Sequence, residues 1–175
     1  MPARRSFLLA AGGLTAIGGL GWLGVEHVSV TGEVKRKYID VSWESQGRQH
    51  HGRVLWSALA PDEAINVSYA SAYAADAVQS PREITVDRDL DSRLRAEFSS
   101  VTYRLGVAGT ALDGSGYSLK GVGREGFNSA QLGDTATVAN LGDRLAVYDV
   151  DTRADWSGSP SVRTFDFTEK YPSFQ

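Results

Sequence analysis

Two imidazoles stand side by side in the stretch Gly-Arg-Gln-His-His-Gly-Arg, at His50 and His51. A neutral imidazole binds a transition metal, and a titrating one moves protons near neutral pH. Neighbouring residues on a strand point to opposite faces, so a metal would take one histidine with a nearby Asp rather than both. These two are the only weak metal candidates. The chain has no cysteine and no His-Glu-x-x-His pattern, so no metal or other cofactor is expected, and Gln46–Gly52 is read as a solvated polar turn. Gly121-Val-Gly123-Arg-Glu-Gly126 has the glycine spacing of a pyrophosphate-cradling loop. That chemistry needs a helix behind it. Gly133-Asp134 closes the segment too soon, so a β-turn or bulge is expected. Asp87, Asp89 and Asp91 have the spacing that opens a calcium loop. Ser92 and Phe98 occupy the positions that need Gly and Glu, so the acids are read as helix-capping. Asp113-Gly-Ser115-Gly reads as a hairpin turn, not a nucleophile elbow. No catalytic residue is assigned. Trp43, Trp56, Tyr69, Tyr73 and Tyr103 supply aromatic area for a sugar-binding face or, with alternating burial, for a core. Asn66-Val-Ser68 is a glycosylation sequon, relevant only outside the cytoplasm and placed in a strand.

The elements that would carry these residues are mainly strands. Alternation marks the segment from Val28 to Ser45, with Gly32 interrupting it. It marks Arg53–Leu59, Ile65–Tyr73, Val101–Gly109, Tyr117–Gly123, Thr135–Val138, Arg144–Val150 and Val162–Thr168 as well. Arg82–Val86 is read as a further short strand. Leu90, Leu94 and Phe98 recur every four residues among charged ones, which predicts one helix of about three turns. Gly/Asp/Asn turns separate the strands. The fold class expected is a mainly β domain: a small antiparallel barrel or sandwich of about eight strands with one short helix. A single N-terminal membrane or signal helix is expected to precede it.

That N-terminal segment has its own pattern. Arg4 and Arg5 are followed by Ser6, Phe7 and Leu8, and no charged residue occurs from Phe7 to Val25. A short positive start and an apolar run are the parts of an export signal. The Arg-Arg-x-Phe-Leu core, at Arg4, Arg5, Phe7 and Leu8, resembles the twin-arginine (Tat) signal. The resemblance implies a receptor-read address that sends a folded protein outward, with the Tat export machinery as a partner. Six glycines among the leucines keep the run only moderately hydrophobic, as that family's signals are. No Ala-x-Ala-like cleavage site closes it. Nineteen helical residues would span about 28 Å, close to a hydrocarbon core of roughly 30 Å. The expectation is therefore residues 1–27 as signal or membrane anchor and 28–175 as an extracytoplasmic β-rich domain. The alternative is secretion after cleavage.

Composition narrows the function. There are four lysines against fourteen arginines and thirteen Asp against eight Glu. Low lysine, high Asp, absent cysteine and the paired arginines together resemble exported envelope proteins of halophilic archaea. Beyond residue 25 the net charge is −5 with no basic run longer than the three residues Lys35–Lys37, which argues against nucleic acid as a partner. The function expected is a cell-surface, membrane-anchored binding or accessory module without catalytic activity, with an envelope protein as its partner. The alternatives are a secreted hydrolase or metal-dependent enzyme with a scattered active site, and a structural envelope component.

Overall fold

The computed structural model describes residues 29–109 and 117–174. Its strands are β1 (Ser29–Ser45), β2 (Arg48–Leu59), β3 (Ile65–Ala70), β4 (Ser100–Ala108), β5 (Tyr117–Val122), β6 (Thr135–Leu141), β7 (Arg144–Asp151) and β8 (Pro160–Phe165). They form one eight-stranded sheet in the order β4-β5-β7-β6-β1-β2-β3-β8, and β4 also pairs with β1. The expectation of about eight strands and a mainly β domain holds. The expectation of a wholly antiparallel sheet does not, because β3–β8 and β5–β7 are parallel. Nor is there a single short helix: α1 (Ser71–Ala74), α2 (Arg88–Glu97), α3 (Arg124–Ser129) and α4 (Phe167–Lys170) are all helical. The expected N-terminal helix lies outside the described residues. Among the described residues no helix is long and apolar enough to cross a membrane.

β1 organises the domain. Its first residues, Ser29–Glu33, pair with β6, and Glu33–Ser42 pair with β4. Gly32 sits where the partners change, and a Cβ there would run into the Ala108 carbonyl oxygen. The glycine that looked like an interruption is what lets one long strand pass between two partners. A two-residue turn at Gln46 (φ 53°) and Gly47 (φ 69°) then reverses the chain into β2. Two positive-φ residues suit the right-handed twist of a hairpin. The polar turn expected over Gln46–Gly52 is thus two residues long, and both histidines lie on β2.

α2 is the helix read from the sequence. The Asp87 side chain accepts the Leu90 N–H at 2.7 Å and caps its start. Leu90, Leu94 and Phe98 are buried, worth about 2 kcal/mol each as transferred apolar side chains. The strand expected at Arg82–Val86 does not form, and Ile84 makes only an isolated bridge with Val78. Side-chain amides replace the ladder there. Gln131 Oε1 accepts the Ile84 N–H at 2.9 Å, and Asn128 bonds both the N–H and the carbonyl of Val86 at 2.8 Å.

The inward positions of β1 are Lys37, Ile39, Val41 and Trp43, all buried. Lys37 is fully buried, and its Nζ lies within hydrogen-bond distance of four acceptors that share its three N–H groups: the carbonyls of Ile84 (2.7 Å), Phe127 (2.6 Å) and Ala130 (2.8 Å) and Gln131 Oε1 (2.8 Å). It ties the 84 segment and α3 to the central strand. Burial pushes its pKa well below the usual lysine value, and the Asp134 carboxylate opposes that shift. Asp134, 1% exposed, is itself held by Arg82 at 2.7 Å and by the backbone N–H groups of Gln131 and Arg153.

Candidate functional site

The outward positions of β1 build a polar patch by register alone. Tyr38 lies opposite Trp56 on β2 and Arg104 on β4. Asp40 lies opposite Arg53 and Thr102, and Ser42 opposite His51 and Ser100. Trp56 in turn lies opposite Ser68 on β3. All of these residues but Tyr38, which lies buried under Arg53, line a cleft of about 700 Å³, walled on one side by Phe165 at the end of β8 and by Lys170 and Tyr171 at the end of α4. A volume of this size suits a small ligand.

Asp40 is the centre of the cleft. Arg53 Nε donates to its Oδ1 at 2.6 Å, and Arg104 Nε lies 2.7 Å from its Oδ2. The Arg104 approach is off the hydrogen-bond axis, so this is an ion pair in which the buried Nε–H has no acceptor. The Arg53 guanidinium also stacks 3.8 Å above the Tyr38 ring, and its backbone N–H donates to the Tyr171 hydroxyl at 3.1 Å. Lys170 Nζ sits 4.0 Å above the Phe165 ring. The arginine side chains are 35% and 39% exposed, so water screens the pairs and their main effect is orientation. Among the described residues the terminal nitrogens of both guanidinium groups have no hydrogen-bond partner. Two guanidinium groups thus share one carboxylate, with Lys170 as a third cation on the cleft wall.

The residues singled out in the sequence scatter. His50 stacks on Trp43, ring centroids 5.7 Å apart, while His51 on the opposite face is exposed at the cleft rim. Among the described residues no three His, Asp or Glu side chains gather as a metal site. Asn66 is half-buried in β3, as its strand placement implied. The three spaced acids diverge. Asp87 caps α2, Asp89 is exposed, and Asp91 accepts from the Tyr103 hydroxyl at 2.6 Å and pairs with Arg95 at 2.9 Å. Burial first, then that bond to Asp91, pushes the Tyr103 pKa up. Gly121, Gly123 and Gly126 fall in β5, at the cap of α3 and within α3. A helix does start after Gly123, against expectation, but it has six residues and contains Gly126. Gly126 serves packing there, since a Cβ would meet the Val147 side chain at 3.1 Å. Of the five aromatics, Trp43 and Tyr103 are buried in the core, and Tyr69 and Tyr73 pack against it. Trp56 alone reaches the cleft. Arg4, Arg5, Phe7, Leu8, Asp113 and Ser115 lie outside the described residues. No protein-family model, curated protein or solved structure matches the chain.

Asp40, Arg53 and Arg104 carried a faint signal in the sequence. Asp40 and Arg104 are charged residues inside apolar strand patterns, on the parity opposite the core residues, whereas Arg53 shares the parity of the buried Leu55 and Leu59 and is turned to the outer face by the register shift at Val54. Only the pairing register places them together.

Proposed function

We propose that the chain is a membrane-anchored binding module without catalytic activity, exported by the twin-arginine route, that takes anionic ligands in the cleft around Asp40. The observation that carries the binding reading is the sharing of Asp40 by Arg53 and Arg104. One carboxylate holds two guanidinium groups side by side while, among the described residues, their outer nitrogens have no hydrogen-bond partner. Guanidinium stays protonated at working pH, so this pair binds and orients an anion rather than passing protons. The address rests on Arg4, Arg5, Phe7 and Leu8 and the uncharged run behind them. The circuit of pairings β1-β4-β5-β7-β6 and back to β1 supports reading that half of the domain as a small barrel, with β2, β3 and β8 extending from it.

Two measurements test this. The full chain in detergent, titrated calorimetrically with citrate, should release or absorb heat that is lost in the Arg53→Gln/Arg104→Gln double variant. Absence of anion binding by the parent, or turnover of a substrate by it, overturns the binding reading. Intact mass of protein from membrane and medium fractions tests the address. A full-length mass in the membrane supports an anchor, and a shortened chain in the medium makes the segment a discarded signal.

A further inference from the structure

The cleft presents three chemistries at once. Its floor carries the paired guanidinium groups of Arg53 and Arg104, with Lys170 on the wall. Around them stand the hydroxyls of Ser68, Ser100 and Thr102. Beside them is Trp56, half-buried on the outer face and not part of the apolar core cluster. Among the described residues this tryptophan, set on a polar sheet face opposite Ser68, takes no part in the apolar core, so its ring is available to a ligand in the cleft. We infer that the ligand is an acidic saccharide, a sugar ring bearing a carboxylate, and this rests on the anion-binding reading above. The sugar's carboxylate would take the outer guanidinium nitrogens in a fork geometry. The apolar C–H face of the ring would lie on the Trp56 indole. The ring hydroxyls would exchange hydrogen bonds with the Ser and Thr side chains, which both donate and accept. A bare inorganic anion uses only the first of these features, and a neutral sugar only the other two. The volume of about 700 Å³ admits one or two sugar rings, and two exceed what a small inorganic anion needs. The three cations exceed the single Asp40 carboxylate, so a ligand carrying one or two negative charges balances the site.

The experiment titrates the full chain in detergent at physiological salt with digalacturonate, its neutral counterpart digalactose, citrate and adenosine monophosphate. Digalacturonate is expected to bind most tightly and digalactose not measurably. Arg104→Gln should weaken digalacturonate about tenfold or more, since a charge-assisted bond is lost. Trp56→Ala should weaken digalacturonate by a similar factor and leave citrate unchanged. Thermal unfolding of both variants checks that they fold, and Lys170→Gln, on the exposed wall, repeats the charge test away from the sheet. Citrate binding as tight as digalacturonate and insensitive to Trp56→Ala overturns the saccharide inference and leaves the anion reading standing. Preference for adenosine monophosphate overturns it in favour of a nucleobase on Trp56. Failure of every anion to bind overturns both readings.

Discussion

Replacing Lys37 by methionine keeps an unbranched side chain out to the ε position and removes its ammonium. Four oxygens lie 2.6–2.8 Å from Nζ. Gln131 Oε1 keeps the Ile84 N–H as a donor, so it stays satisfied in the variant. The carbonyls of Ile84, Phe127 and Ala130 lose this donor inside the core. A buried acceptor without a donor costs about 1–3 kcal/mol, so three set a gross loss of roughly 3–9 kcal/mol. Methionine also abolishes the desolvation cost of a buried cation, several kcal/mol, which offsets part of that loss. The net expected is a destabilisation of about 3 kcal/mol, near the lower end for breaking a buried charged group's contacts. For a domain of this size that lowers Tm by roughly 10 °C. Urea unfolding followed by tryptophan fluorescence reads it as a fall in the midpoint at unchanged slope. A variant within about 0.5 kcal/mol of the parent, or more stable than it, would refute the idea that Lys37 fastens α3 and the 84 segment to β1.

The same lysine predicts a pH dependence. Its folded pKa is lowered, so between that value and the unfolded value of about 10.4 the unfolded chain binds the extra proton. The cost of burying the charge is fully present below the folded pKa and is relieved as pH rises through this window. The stability gap between parent and Lys37→Met should therefore widen as pH climbs toward 10, and a gap that narrows would contradict the assignment. At the start of α2, Asp87→Ala should cost about 1 kcal/mol through loss of the bond to the Leu90 N–H, read by urea unfolding. No change there would mean solvent caps the helix as well as the carboxylate does.

How far the sequence reveals this molecule depends on whether a feature is local. α2 was legible because its apolar stripe, its capping Asp87 and its end at Phe98 all lie within twelve residues. The opposed faces of His50 and His51 follow from strand geometry, but the polar letters around them suggested a turn where the strand Arg48–Leu59 runs. Arg82–Val86 misled because its alternation is real, but Glu83 and Thr85 bond back to the turn before them, and Ile84 and Val86 bond the side-chain amides of Gln131 and Asn128, more than forty residues away. The α3 helix was hidden by three glycines whose letters suggested a turn, and its reason for Gly126 is the distant Val147. Lys37 shares the parity of Ile39, Val41 and Trp43, which is a sign of an inward position. A lone lysine on that parity does not reveal its four acceptors. The cleft was the least legible. Asp40 meets Arg53 only because the β1–β2 register shifts between Ile39 and Asp40, and meets Arg104 only because β4 pairs on the other edge of β1.

The most direct test of the cleft as the binding site is an amide, indole and guanidinium Nε–H NMR titration of the full chain with digalacturonate. The largest shifts should fall at the Nε–H of Arg53 and Arg104, the Trp56 indole N–H, and the backbone of Asp40 and Thr102. Saturable shifts confined to another face of the sheet, with these groups unmoved, would contradict it.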